Sequence, residues 1–208
     1  MDSLDSYILS HIDAEGELLA QLCRDTHIHT LRPRMMSGHL QGRILKMLCR
    51  LRQPHRLLEI GTFTGYSTLC LAEGMPADAE LHTVEIDDEI EDFTRSYLDR
   101  SPAADRIHLH IGDALTVVPR LGGTFDFVFI DADKRHYCDY YDMVFDRVTP
   151  GGVILADNTL WDNKVYDGHS HDTQTRAVMA FNDKIAADDR IEKVLLPLRD
   201  GLTVMWKK

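Results

Sequence analysis

Side chains that carry oxygen follow two of the apolar segments of this sequence. Asp131 comes directly after Phe-Asp-Phe-Val-Phe-Ile, and Asp157 and Asn158 come directly after Val-Ile-Leu-Ala. Three oxygen ligands without histidine or cysteine suit a hard divalent cation such as Mg²⁺, Mn²⁺ or Ca²⁺ and do not suit zinc. These three residues are therefore predicted to bind a divalent metal, with Mg²⁺ favoured. Helix capping by the individual carboxylates is the alternative.

A glycine turn in the first half of the chain indicates a nucleoside site. The segment 57–67 has the pattern of a buried strand that runs into a glycine turn and opens a helix. Phe63 stands where a dinucleotide site needs a glycine for close approach of the pyrophosphate, so a phosphate-free nucleoside fits better. Glu59, just before Gly61, is placed to accept a hydrogen bond from an amino-acid ammonium, directly or through water. Glu85 ends the next predicted strand, where an acidic side chain typically accepts the ribose hydroxyls.

A further turn, at Gly112, follows the third predicted strand and lies beside the same pocket. Asp113 and the backbone of Ala114 are predicted to contact the adenine of the nucleoside. A simple helix N-cap at Asp113 is an equally good interpretation. Together the turns predict S-adenosylmethionine as the cofactor.

Lys134 is the candidate general base. It follows Asp131, the second predicted catalytic residue, by three positions, which places its amine near the predicted cation. A neighbouring cation and partial burial disfavour a charged ammonium. In the predicted reaction the metal chelates two vicinal oxygens of an acceptor, Lys134 accepts a proton from one, and the resulting phenolate attacks the sulfonium methyl in line. A solvated lysine at a helix start is the alternative.

The segment after Asn158 is predicted to contact the acceptor. Trp161 stands in a polar loop with Asn163, Lys164 and Tyr166, where an aromatic ring could stack on a planar acceptor. Packing of Trp161 as a loop anchor is the alternative.

From residue 54 onward, short β-branched or Leu-rich runs alternate with turns and helix-length segments, which is typical of a parallel sheet covered by helices on both faces. This predicts an α/β fold with one domain over 1–208, in which 1–52 forms a helical cap and 53–208 the core. Strands are predicted near 56–60, 81–85, 107–111, 125–130, 152–156, 191–197 and 201–207. Helices are predicted near 4–23, 37–51, 67–73, 88–99, 114–121, 135–148 and 173–187. The turn at 199–201 predicts that the last strand is antiparallel.

Composition narrows the functional classes. The 208 residues include 44% hydrophobic and 27% charged residues, typical of a globular protein, and no stretch is apolar enough to span a membrane. The four cysteines lack a C-x-x-C pair, which favours reduced thiols and a cytoplasmic location. The formal net charge of −11 disfavours a long nucleic-acid footprint.

Two further groups of side chains have simple structural interpretations. Basic residues in the N-terminal quarter could face an anionic acceptor, but a solvated helix surface is favoured; they are Arg24, Arg32, Arg34, Arg43, Lys46, Arg50 and Arg52. The pair His108/His110 is explained by alternation along a strand and the pair His169/His171 by a loop, so no histidine metal site is predicted.

The residues above resemble those of the cation-dependent O-methyltransferase family that includes catechol and caffeoyl-CoA O-methyltransferases, especially its short bacterial members. The resemblance runs from about residue 34 to the end and rests on four motifs: Glu59-x-Gly61-x-x-x-Gly65-Tyr66-Ser67, Glu85, Asp131-Ala132-Asp133-Lys134 and Asp157-Asn158-Thr159-Leu160-Trp161.

The resemblance implies metal ligation by Asp131, Asp157 and Asn158, a base role for Lys134, a class I methyltransferase sheet in the order 3-2-1-4-5-7-6, and a homodimer. With the residues derived above, the predicted cofactor contacts are Ser37, Glu59, Gly61, Phe63, Ser67, Glu85, Asp113, Ala114, Asp131, Asp133 and Tyr140. Ser37 is matched through the stretch Met36-Ser37-Gly38-x-x-Gln41-Gly42.

The acceptor is less constrained than the cofactor. Plant relatives have an Asn after the loop tryptophan, where this sequence has Asp162, and they have a longer N-terminal arm. A small catechol-like or hydroxylated aromatic acceptor is therefore predicted, contacting Lys134, Trp161 and Asp162. Methylation of a hydroxyuridine in tRNA is the runner-up. A nucleotide-binding oxidoreductase and a non-catalytic cofactor-binding scaffold are the other classes considered.

Overall fold

The architecture is a seven-stranded sheet with helices on both faces. A computed structural model describes residues 3–168 and 172–208 of the chain. The sheet order is β3-β2-β1-β4-β5-β7-β6, and β7 runs antiparallel to both of its neighbours. The strands are β1 Arg56–Ile60, β2 Glu80–Glu85, β3 Ile107–Ile111, β4 Phe125–Ile130, β5 Val148–Asp157, β6 Ile191–Leu196 and β7 Leu202–Lys207. The α/β class, the strand order and the antiparallel last strand are confirmed.

Eight α-helices are present in the described ranges. They are α1 Ser3–Leu9, α2 Glu17–His29, α3 His39–Arg52, α4 Tyr66–Gly74, α5 Glu91–Leu98, α6 Ala114–Val117, α7 Tyr137–Phe145 and α8 Thr173–Ala187. The single helix predicted over 4–23 is wrong, because Gly16 adopts a left-handed φ of 83° and starts a separate helix. The helix predicted over 135–148 ends three residues early, since Val148 already pairs with Phe125 in the sheet. Over the described residues, no helix has the length and apolarity needed to cross a membrane.

Side chains alternate between two hydrophobic cores, one on each face of the sheet. On one face Leu58 and Val128 pack with residues of α7 and α8. On the other face Leu57 and Phe127 pack with Leu45 of α3 and with residues of α4. The third helix of the N-terminal segment is thus part of the packing of the sheet. The four cysteines are free thiols.

The carboxyl ends of the central strands meet at one edge of the sheet. Ile60, at the end of β1, stands beside Ile130 of β4, and the Asp131 amide donates to the Ile60 carbonyl at 2.8 Å. Gly61 has a φ of 100°, and a Cβ atom at this position would lie 1.9 Å from the main-chain oxygen of Asp131. Only glycine therefore allows the turn after β1 to pass this closely to the end of β4.

Candidate active site

A cleft of about 1050 Å³ opens at this carboxyl edge. It is the place where open α/β sheets bind ligands. The predicted site residues that line it are Ser37, Gly61, Phe63, Ser67, Glu85, Ala114, Asp131, Asp133, Lys134, Tyr140, Asp157, Asn158, Trp161 and Asp162. Glu59 and Asp113 were also predicted, but they do not belong to the lining.

Glu59 lies fully buried below the glycine turn. One carboxylate oxygen accepts hydrogen bonds from the hydroxyls of Thr68 and Thr83, the latter at 2.6 Å. The other oxygen, Oε1, is buried and has no hydrogen-bond partner among the described residues. Burial raises the pKa of Glu59 to about 7. A buried acceptor without a partner is rare in folded proteins, so Oε1 indicates the position of a missing donor.

Glu85 is held by the backbone at the end of β2. Its Oε2 accepts from the Phe63 amide at 2.6 Å, and its Oε1 accepts from the amides of Ile86 and Asp87 at 2.9 and 3.0 Å. Three backbone donors fix the orientation of the carboxylate without using all of its acceptor positions. Glu85 can therefore accept hydrogen bonds from the hydroxyl groups of a ligand in the cleft.

Asp113 caps the N-terminus of α6. Its Oδ1 accepts from the amide of Leu115 at 2.9 Å, and the side chain is exposed. The helix-cap interpretation of this residue is therefore confirmed, whereas its contact with adenine stays a prediction. Ala114 and Gly112, on either side of it, do line the cleft.

Asp157, the last residue of β5, is buried, and only one of its two carboxylate oxygens has a hydrogen-bond partner among the described residues. Its Oδ2 accepts from Gln41 Nε2 at 2.7 Å, while its Oδ1 has no hydrogen-bond partner in the part of the chain that the structure describes. Burial, reinforced by the negative charge of Asp131, raises the pKa of Asp157 to about 6. Asn158 has a φ of 58°, a conformation that is costly for most residues and better tolerated by asparagine. An acidic oxygen without a partner, beside a second carboxylate and an amide, fits a hard cation.

Lys134 is buried beside these acidic groups, with 5% of its surface exposed, so the solvated-lysine alternative is wrong. Its Nζ donates to Asp131 Oδ1 at 2.9 Å and to the Tyr137 hydroxyl at 2.5 Å. The Tyr137 hydroxyl lies 2.9 Å from the main-chain oxygen of Asp157, to which it can donate. Burial raises the pKa of Tyr137 well above its ordinary value, so this hydroxyl remains protonated. The lysine is thus oriented by Asp131, directly after β4, and by Tyr137 of α7, whose hydroxyl reaches the end of β5.

The family model described as O-methyltransferase matches residues 9–208. The chain belongs to this family. Caffeoyl-CoA O-methyltransferase from Stellaria longipes is 31% identical to it over 215 residues, which cover 97% of this chain and 89% of that protein. Catechol O-methyltransferase from Niastella koreensis is 29% identical over 201 residues, with coverages of 95% and 90%. Methyl transfer to oxygen, in the manner of the caffeoyl-CoA and catechol enzymes, is the activity that follows from membership.

Solved O-methyltransferase structures share the fold. TomG from Streptomyces achromogenes, involved in tomaymycin synthesis and determined in complex with SAM, matches with a TM-score of 0.92 at 30% identity, covering 100% of this chain and 96% of that chain. An O-methyltransferase from Bacillus cereus in complex with SAH matches with a TM-score of 0.91 at 28% identity, with coverages of 99% and 97%.

Three residues of this O-methyltransferase site were missed as functional candidates. Gln41 lies in the 36–42 stretch that carried the family resemblance, yet no role was assigned to it. Tyr137 stands three positions after Lys134, a spacing that could have indicated contact. Arg199 donates to Gln41 Oε1 at 3.0 Å across 158 positions of sequence, and no local pattern announces that pair.

The loop after Asn158 is held by the turn between β6 and β7. The amide of Leu160 donates to the main-chain oxygen of Asp200 at 2.8 Å, and the amide of Asp162 donates to the Asp200 side chain at 2.5 Å. Trp161 is half-buried and lines the cleft, but its indole nitrogen is buried without a partner among the described residues. Both the stacking and the anchoring interpretations of Trp161 remain compatible with this position.

The N-terminal basic residues do not form a single patch. Arg43 and Lys46 both pair with Glu73 at 2.9 Å, whereas Arg32 and Arg34 line the cleft. His169 and His171 lie outside the described residues.

Proposed function

We propose that this protein transfers the methyl group of S-adenosylmethionine to a hydroxyl of a small catechol-like or hydroxylated aromatic acceptor, with a divalent cation beside the acceptor oxygen. One observation carries the proposal: the Oδ1 of Asp157 is a buried acceptor without a partner among the described residues, next to Asp131 and Lys134. A buried carboxylate oxygen is stabilised only by a cation or a donor, so its environment calls for a bound group.

The cofactor half of the cleft suits S-adenosylmethionine. The unpartnered Oε1 of Glu59 offers an acceptor for the amino-acid ammonium, and the separation of Glu59 from the cleft lining favours contact through water. The fixed carboxylate of Glu85 offers acceptors for the ribose hydroxyls. TomG and the Bacillus cereus enzyme, both of the same fold, were determined with SAM and SAH.

The other half of the cleft suits the chemistry of methyl transfer. Asp131, Asp157 and Asn158 would hold Mg²⁺ or a similar hard cation, which supplies Lewis-acid stabilisation of a developing oxyanion. Lys134 would accept the proton of the acceptor hydroxyl. Asp131 and Tyr137 hold its amine in one orientation, so the lysine side chain does not have to reorient when the acceptor binds.

The acceptor is expected to be planar and small. Trp161 and Asp162 line the cleft, and a ring stacked on Trp161 would be anchored by its two chelating oxygens. The names of the relatives, a catechol and a caffeoyl-CoA enzyme, agree with an acceptor that carries vicinal oxygens. Arg32 and Arg34 at the same cleft would favour an acceptor with a negative group, which also keeps a tRNA hydroxyuridine as the second candidate.

The test is a methyl-transfer assay with S-adenosylmethionine, Mg²⁺ and three acceptors: catechol, caffeic acid and hydroxyuridine-containing tRNA. We expect transfer to the small acceptors, abolished by EDTA and restored by added Mg²⁺. Asp157→Asn should lose activity by about a hundredfold or more, because it removes an anionic metal ligand. Asp105→Asn, at an exposed aspartate that does not line the cleft, is the matched control. Transfer to tRNA alone would show that the acceptor is a tRNA hydroxyuridine and not a small aromatic compound. Transfer that persists in EDTA would refute the role of the metal.

A further inference from the structure

A second cluster of potential ligands lies at the amino ends of the strands, opposite the cleft. Glu80 opens β2, and His82 of the same strand stands directly beside His108 of β3. One ligand atom from each of these three side chains lies within 4.8 Å of the other two. Glu80 and Glu85 stand at opposite ends of β2, so about 16 Å of extended strand separates this cluster from the cofactor half of the cleft.

Both ring nitrogens of His82 have polar neighbours. Its Nε2 lies 3.1 Å from Nη2 of Arg56 and 3.2 Å from Oε1 of Glu80, so this nitrogen faces the carboxylate of the cluster. Its Nδ1 lies 3.0 Å from Nε2 of His110, a contact that can fix the orientation of the ring.

Arg56 occupies part of the space that a cation would take. Its Nε donates to Glu80 Oε1 at 2.6 Å, and its guanidinium carbon lies 4.7 Å from the centre of the Phe125 ring. The cluster is thus already arranged around a positive charge. A metal ion has to displace this guanidinium from Glu80 and His82, so Arg56 is expected to weaken metal binding.

We propose that Glu80, His82 and His108 form a binding site for Zn²⁺ or a similar transition-metal ion, separate from the methyl-transfer cleft. The guanidinium of Arg56 lowers the metal affinity of this site. Two imidazoles and one carboxylate, with a water in the remaining position, make a ligand set that zinc favours and that Mg²⁺ does not. Access is open, because a surface groove of about 460 Å³ contains Glu80 and His108 among its lining residues.

The first test is zinc titration by calorimetry in excess Mg²⁺, which keeps the oxygen ligands of the cleft occupied. His108→Gln is the test variant because His108 is partly exposed and its loss leaves the core intact. His55→Gln is the control, since His55 lines the same groove but contacts Asp78 instead. We expect His108→Gln to weaken zinc binding at least about tenfold, Arg56→Met to strengthen it, and His55→Gln to leave it unchanged.

The second test identifies the ligands directly. Cu²⁺ bound to the Mg²⁺-loaded protein should give an electron paramagnetic resonance spectrum with splitting from two ring nitrogens, and His108→Gln should remove one of them. Asp157→Asn should leave this spectrum unchanged. Equal zinc affinity in the wild type and His108→Gln, or a copper spectrum that this substitution does not alter, would refute the site whatever the outcome of the methyl-transfer assay.

Discussion

At the scale of single residues, two buried carboxylic acids beside the cleft, Glu59 and Asp157, each have hydrogen-bond partners on only one oxygen. Glu59 receives hydroxyl hydrogen bonds on Oε2, and Asp157 receives the Gln41 amide on Oδ2. The opposite oxygen of each is buried without a partner within the described ranges. Because burial disfavours the charged form, both carboxylates have raised pKa values, and both should become stronger acids when their ligands bind.

For Glu59 this predicts a pH-dependent affinity for S-adenosylmethionine. The ammonium of the cofactor favours the ionised carboxylate, whose pKa in the free protein is about 7. Below about pH 7 the Glu59 carboxyl is mostly protonated and must lose its proton before the cofactor binds. The Kd for S-adenosylmethionine should therefore rise as the pH falls, with a slope that approaches about tenfold per pH unit. Calorimetric titrations between about pH 5 and about pH 6.7 measure this, a range in which the cofactor amine, with an ordinary pKa of about 8, stays mostly charged. Glu59→Gln should bind more weakly with a flatter pH profile; an equally steep profile in the variant would contradict the role.

At the scale of elements, the turn between β1 and α4 determines how closely two strand ends approach. Gly61→Ala places a methyl group in contact with the Asp131 carbonyl at a φ that alanine adopts at a cost. We expect a loss of unfolding free energy of about 3 kcal/mol or more, together with loss of cofactor binding, because Asp131 must move.

Urea denaturation and calorimetry check this prediction. Gly122→Ala is the matched control, since a Cβ atom there has nothing within 4 Å and the backbone φ is not in the left-handed region. That control should change stability by less than about 0.5 kcal/mol. Similar effects of the two substitutions would mean that the turn tolerates a side chain.

At the scale of the whole molecule, the burial of Asp157 predicts that the candidate metal site costs folding free energy at neutral pH when no cation is bound. A carboxyl with a pKa of about 6 instead of the ordinary 3.8 prefers its protonated form in the folded state. The folded state therefore loses stability as the pH rises from about 4 to about 6, by up to about 3 kcal/mol. In EDTA, Asp157→Asn should be more stable than the wild type at about pH 7.5, by about 2 kcal/mol, and the difference should shrink towards pH 5.

Thermal unfolding with and without Mg²⁺ tests whether a bound cation offsets the cost of burying Asp157. Added Mg²⁺ should raise the Tm of the wild type, because it binds the folded state only, and should leave Asp157→Asn nearly unchanged. A wild-type protein that is more stable than the variant in EDTA at neutral pH would show that Asp157 is satisfied without a cation.

The sequence by itself determined the parts of this protein that depend on local pattern. Short runs rich in β-branched residues, leucine or phenylalanine located β1, β3 and β4 to the residue, and the motifs around Gly61 and Asp131 identified the family. Such features are readable because a strand and its turn are encoded by neighbouring residues. The choice between a solvated and a buried Lys134 could not be made this way.

Only the tertiary structure decided which distant side chains meet. Gln41 contacts Asp157 across 116 positions, and His82 meets both His108 and His110 because β2 and β3 are adjacent in the sheet. Alternation along β3 explained His108 and His110 correctly as a strand pattern, but it carried no information about the strand beside them. The strand order brings these pairs together, and a partner across a sheet leaves no trace in the residues on either side of it.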